Sequence, residues 1–162
     1  MAPGSSLGGA RPKANFSDPS GIPWIAKFPS REDRRDIGAW EMVAHRLALA
    51  AGLDVPDAQL LKLSDRYYTF AWRRFDRTPD GRRLMFVSAM TLLNKRDGES
   101  ASYVDVAEFI STQGSPTHKA TDLRELWTRI VFNIMIPNRD DHLRNHGFIF
   151  ADDGWRLGAC RT

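Results

Sequence analysis

The sequence predicts an α+β fold in two lobes with a cleft between them. Three observations lead there. Short strand-like runs separated by Gly, Pro and Asp turns fill the first half, one strongly periodic helix interrupts them, and helical spacing takes over from Ser88. The boundary is drawn after Val87, giving a β-rich lobe over 1–87 and a partial helical lobe over 88–162.

Residues 1–11, rich in Gly and Ser, read as a loop. Strands are expected over Pro12–Phe16 and Ile22–Phe28, joined by the turn Ser17-Asp18-Pro19-Ser20-Gly21. Ile37, Trp40, Val43, Ala44, Leu47, Ala48 and Ala51 then recur at three- and four-residue steps. That spacing predicts a helix buried along this stripe, with Asp36 as N-cap and Gly52 as its stop. Glu41 lies off the centre of the stripe and is free to point elsewhere. After Pro56 come strand readings over Ala58–Leu63, Tyr67–Phe75 and Arg83–Val87. Helices follow over Val104–Gln113 and Asp122–Ile136. The second opens on a capping-box-like Asp122 and Glu125, with Leu123, Leu126, Trp127, Ile130, Val131 and Ile134 as its apolar face. Pro137 stops that helix, and Phe148–Phe150 and Trp155–Leu157 flank Asp152-Asp153-Gly154 as a hairpin.

Composition narrows the function classes. The chain of 162 residues is 42% hydrophobic with five Trp and nine Phe, too many buried-type side chains for a globally disordered protein. Its single cysteine, Cys160, excludes an internal disulfide framework and a cysteine-based zinc site, and points to a reducing, cytoplasmic compartment. No apolar run approaches the roughly 18 residues of a membrane span, and the N-terminus lacks the apolar core of a signal peptide. Net charge is only +3, from 23 basic against 20 acidic residues. Much of the excess lies between Arg73 and Arg83, where five Arg meet Asp76 and Asp80; a solvated hairpin face or contact with nucleic acid would each account for it.

Chemistry concentrates in Asn138-Arg139-Asp140-Asp141-His142-Leu143-Arg144-Asn145-His146, a polar loop directly after a buried-type helix. Three readings compete. His142 and His146 have the spacing of a helical zinc pair, although the flanking Pro137 and Gly147 argue against a helix and no third ligand is evident. A solvated loop without chemistry is the second. The third is phosphoryl transfer, in which an Asp orients and deprotonates a hydroxyl while an Asn a few residues on holds magnesium; Asp140 and Asn145 meet that spacing. Other parts are consistent with it. Ser5-Ser6-Leu7-Gly8-Gly9-Ala10-Arg11 supplies a loop able to approach phosphates, Lys27 a cation on a strand, and Glu41 a helical carboxylate to hold that lysine.

Taken in order, these segments resemble the HipA family, bacterial serine/threonine kinases that act as toxins of toxin–antitoxin pairs. Ser6 to Ala14 resembles the family's phosphate loop and Trp24-Ile25-Ala26-Lys27-Phe28-Pro29 its nucleotide-lysine strand. Gly52-Leu53-Asp54-Val55-Pro56 is similar to its link into the next strand, Arg74-Phe75-Asp76-Arg77 to its hinge and Asn138 to Asn145 to its catalytic loop. The resemblance implies a bilobal protein-kinase-like fold using ATP and Mg2+ to phosphorylate Ser or Thr of a protein substrate. It implies Asp140 as proton acceptor and Asn145 as a magnesium ligand. Gly8, Gly9, Ala10, Arg11, Pro12, Lys13 and Lys27 would lie against the phosphates, and Arg73, Arg74 and Phe75 along the adenine. His142, Leu143, Arg144 and Asn145 would line the phosphate side. Ser6 matches a serine whose autophosphorylation switches the kinase off. A HipB-like DNA-binding antitoxin is the implied partner, with DNA reached only through it.

Arg73 stands where the family carries an acid. Gly158-Ala159-Cys160-Arg161-Thr162 replaces the segment that bears the family's second metal-binding Asp. The chain also reads as shortened at both ends, so impaired catalysis is expected. A non-catalytic module that binds nucleotide or antitoxin is the alternative.

Overall fold

The computed structural model describes residues 11–78, 80–96, 98–99 and 101–160. Ser6, Gly8, Gly9 and Ala10 lie outside the described residues. The chain forms two compact units, one from residues 11–47 and 56–75, the other from 48–55 and 76–160.

In the first unit, β1 (Lys13–Ser17), β2 (Pro23–Lys27), β3 (Ala58–Leu61) and β4 (Thr69–Arg73) make an antiparallel sheet in the order β1-β2-β4-β3. The β1–β2 turn is built by Asp18, whose Oδ1 accepts from the amides of Ser20 and Ile22. Gly21 follows at φ +81°, the left-handed region that glycine enters without cost. α1 (Ile37–Ala50) begins as the sequence predicts: Asp36 Oδ1 accepts from Ala39 N at 3.0 Å. Its Oδ2 accepts from Tyr68 N at 3.1 Å, so the same carboxylate caps the helix and fixes it to the lead-in of β4.

The buried face of α1 differs from the expectation. Ala48 of the expected stripe is buried, but Trp40, Val43 and Leu47 are 60%, 45% and 50% exposed, and Met42 and His45 are buried in their place. Two features rotate the helix this way. Gly38 presses onto Tyr68, where a Cβ would stand 2.3 Å from the carbonyl oxygen, and His45 Nε2 pairs with Pro56 O at 2.7 Å. Apolar counting is blind to both.

The second unit holds β5 (Phe86–Ser88), α2 (Ala89–Leu92), α3 (Tyr103–Gln113), α4 (Lys119–Met135), β6 (Gly147–Ala151) and β7 (Gly154–Leu157). β5, read from the sequence with the first-half strands, pairs antiparallel with β6 in a β5-β6-β7 sheet. Gly147 permits that pairing, since a Cβ there would meet the Phe86 ring at 2.3 Å. The core is Ala89, Val106, Ile110, Leu126, Phe148 and Leu157, with a second cluster of Ala48, Leu53, Phe132 and Cys160. α3 starts at a capping box of Ser102 and Asp105.

α4 also corrects the sequence reading. It starts at Lys119, and Asp122 is no cap; its Oδ2 accepts from Leu157 N at 2.7 Å. Trp127 and Ile134 are 67% and 71% exposed, while Arg129, 1% exposed, takes a core position. Buried charge needs partners. Arg129 Nε donates to Glu125 at 2.9 Å and Nη2 to Gly158 O at 2.6 Å.

Candidate active site

Lys27 ends β2 opposite Lys13 of β1, so register puts both cations on one face of the sheet. Lys27 Nζ reaches Glu41 Oε1 at 2.6 Å, the pairing expected between strand and helix. Glu41 is only 16% exposed, and its Oε2 is buried with no partner among the described residues. The helix can present Glu41 there because Gly38, one turn earlier, lets α1 seat against Tyr68. Lys27, Glu41, Gly38, Phe28 and Arg11 line a shallow hollow.

Arg11, which lines the same hollow, is paired there. Both its terminal nitrogens donate to Asp33 at 2.6 Å, and this fork holds the Asp33 carboxyl below the usual carboxylate range. Pro12 contributes its carbonyl to Phe28 N at 2.9 Å. At the end of β4, Arg73 N donates to Asp57 O at 2.8 Å and Arg74 N to Pro23 O at 3.0 Å, so both amides are used by neighbouring backbone. Arg74 Nη1 donates to Asn15, and Arg77 and Arg82 pair with Asp76 and Asp80. The arginine-rich stretch is thus laced with local partners.

The polar loop follows α4 and leads into β6. Asp140 is exposed, and its carboxylate has no hydrogen bond or ion pair among the described residues. Asn138 Oδ1 accepts from Asp140 N at 3.1 Å, and Asn145 Nδ2 donates to Asp140 O at 2.7 Å. That second bond sets which way the Asn145 amide faces and turns its oxygen outward from it, an atom of the type that could hold a hard cation. Asn145 N closes a turn onto His142 O at 2.8 Å. His142 and Arg144 are exposed, whereas Leu143 packs against the core of the second unit.

Sequence reasoning passed over Asp141, which sits at the centre of the loop. Its Oδ2 accepts from Tyr103 Oη at 2.5 Å and Asn133 Nδ2 at 2.8 Å, and pairs with His146 Nε2 at 3.1 Å. Burial pushes this carboxyl up, but the hydrogen bond and charge of His146, with Tyr103 and Asn145, outweigh it and hold it below its ordinary value. Tyr103 is pushed up to about 12 by burial and by the bond to Asp141, so it remains a donor. His146 is buried and stands edge-on to Tyr103, unlike exposed His142, so the two histidines do not share a site. No cluster of three or more His, Cys, Asp or Glu able to hold a metal occurs among the described residues. Only Asn133, placed to reach forward from the last turn of α4, hints at the hub in the sequence.

A four-stranded antiparallel sheet with a helix-borne Glu on its Lys, and a helical unit carrying an Asp-x4-Asn loop before a hairpin, define a protein-kinase-like α+β fold. The fold is similar to that of HipA in a Shewanella oneidensis complex of HipA, HipB and operator DNA. The TM-score is 0.75 at 18% identity, over 99% of this chain and 43% of that one. It is also similar to the Helicobacter pylori proinflammatory kinase CtkA, with TM-score 0.69 at 20% identity over 93% of this chain and 53% of that one. The HipA-like C-terminal domain family matches residues 5–159, and the chain belongs to that family. A Haemophilus influenzae relative named "Putative kinase" is 30% identical over 135 residues, 75% of this chain and 39% of its own length. "Putative kinase Y4dM" of Sinorhizobium fredii is 27% identical over 146 residues, 82% of this chain and 34% of its own. The chain therefore spans between a third and two-fifths of these relatives. No helix among the described residues is long and apolar enough to cross a membrane.

Proposed function

We propose that this chain carries the phosphoryl-transfer machinery of a HipA-like kinase, moving the γ-phosphate of ATP to a Ser or Thr hydroxyl of a protein. The observation that carries the reading is the state of the loop. Asp140 offers an exposed carboxylate with no partner among the described residues, while Asn145 beside it is oriented by its bond to the Asp140 carbonyl. Asp140 would accept the hydroxyl proton as the oxygen bonds to phosphorus and the bond to ADP breaks. Asn145 Oδ1 is the described atom suited to hold Mg2+, whose chemistry would be to neutralise phosphate charge. Lys27, kept by Glu41, would pair with the nucleotide phosphates. Gly8, Gly9, Ala10 and Lys13 are proposed to cover them, and Arg73, Arg74 and Phe75 to flank the adenine. Ser6 is the proposed autophosphorylation site. A HipB-like antitoxin is the proposed partner, supported by the assembly named for the Shewanella HipA.

Incubation of the chain with Mg2+ and ATP, followed by intact mass, tests this. One added phosphate that maps to Ser6 or Ser5 and disappears in Asp140→Asn is the expected result. No phosphate, with a nucleotide-dependent rise in melting temperature, would overturn transfer and leave a nucleotide-binding module.

A further inference from the structure

We infer that Asp141, with Tyr103 as its adjustable donor, is the positioning residue that holds Asp140 and Asn145 in working geometry. The inference rests on the kinase reading for its catalytic consequence and on geometry alone for its structural one. Asp141 gathers three segments onto a single oxygen: Tyr103 at the first turn of α3, Asn133 near the end of α4, and His146 just before β6. From there the bonds run on without a gap. Asn133 Oδ1 accepts from Asn138 Nδ2 at 3.1 Å, Asn138 Oδ1 accepts from Asp140 N, and the Asp140 carbonyl accepts from Asn145 Nδ2. The two side chains of the proposed chemistry are thus the end of a hydrogen-bonded chain that starts at Asp141.

Asp140 itself makes no side-chain bond among the described residues, so its position is set through its backbone. Supporting shells of this kind fix a reacting group without touching substrate. Tyr103 is the member best suited to adjustment. Its ring is 36% exposed, so removing the hydroxyl leaves no cavity and no buried orphan on its own side. The edge-on contact of its ring with His146 survives in phenylalanine.

The test compares the chain with Tyr103→Phe and Asp141→Asn, with Ile110→Val as a core-destabilised control and Asp140→Asn as the reaction control. Amide hydrogen exchange over 138–146 is read beside kcat and KM for ATP. Tyr103→Phe is expected to speed exchange across the loop and lower kcat about fivefold, the size of one lost hydrogen bond, with KM for ATP held within about twofold. Asp141→Asn should do more of both, while Ile110→Val should lower the melting temperature and leave loop exchange and the kcat-to-KM pattern alone. The inference is overturned if Tyr103→Phe leaves loop exchange at the parent level, or if Ile110→Val opens the loop equally. If the parent chain transfers no phosphate, or Asp140→Asn still does, the kinase reading fails by itself. The exchange arm then still decides whether Asp141 holds the loop.

Discussion

The lysine site of the first unit and the loop of the second solve the same problem, holding a charged group in place, by opposite means. Lys27 and Glu41 rely on one 2.6 Å contact between two consecutive elements, β2 and α1, and Glu41 keeps a buried oxygen without a partner among the described residues. Asp141 receives three donors, and its neighbours bond one another. The first arrangement depends on how a helix seats on a sheet. The second carries its own support. The ion pair rests on a single partner, whereas a carboxylate oxygen that takes three donors from three segments is scaffolding.

The widest separation of the two roles lies between adjacent residues. Asp140→Asn is expected to cut phosphate transfer by about 10²- to 10⁴-fold, the usual contribution of a positioned base, with little change in thermal midpoint. Mass spectrometry of the phosphorylated chain beside a melting curve reads both. Asp141→Ala should show the reverse emphasis, losing about 1–3 kcal/mol in a urea titration because three donors lose their acceptor. A smaller effect is expected in the first unit. Gly38→Ala forces a Cβ toward the Tyr68 carbonyl, so α1 must shift at a cost of about 1–3 kcal/mol. Glu41 would then leave Lys27, and nucleotide binding by calorimetry should weaken while loop exchange stays unchanged. Lys27→Met should weaken nucleotide binding too, with a loss of only about 1–2 kcal/mol because the pair is partly solvated.

The least effect is in pH. Asp141 lies below its unfolded value when folded, so its stabilisation is present above about pH 4 and drains away as acid approaches the lowered value. Stability measured from pH 6 down to pH 3 should fall less steeply in Asp141→Asn than in the parent. Equal slopes would remove Asp141 from the acid response.

Local chemistry was the legible part of this sequence. Asp36 caps α1 as its type and place predict, the turn at Asp18 forms, and Lys27 meets Glu41 although 14 residues separate them. The faces of the helices were legible only in part: Ala48, Leu123, Leu126 and Ile130 pack inward as the periodicity predicts, whereas Trp40 and Trp127 do not. Periodicity counts apolar side chains, whereas α1 buries His45 with one ring nitrogen on Pro56 O, and α4 buries Arg129 with two of its nitrogens on Glu125 and Gly158 O. Asp140 and Asp141 are the same residue type side by side. What separates them is Tyr103, 38 residues upstream of Asp141 and placed by the packing of α3.

The grip of α4 on the last strand has a consequence for how this fold can change. Asp122 holds the Leu157 amide and Arg129 the Gly158 carbonyl, while Ser115 N bonds Trp155 O. Each of these bonds ends on main chain, and main chain is common to every amino acid. These bonds therefore read where the strand runs and not what it spells. Half-buried Arg156 can drift, by mutation or by design, whereas Leu157 and Cys160 are kept by the apolar clusters they fill and the path of the backbone is inherited intact.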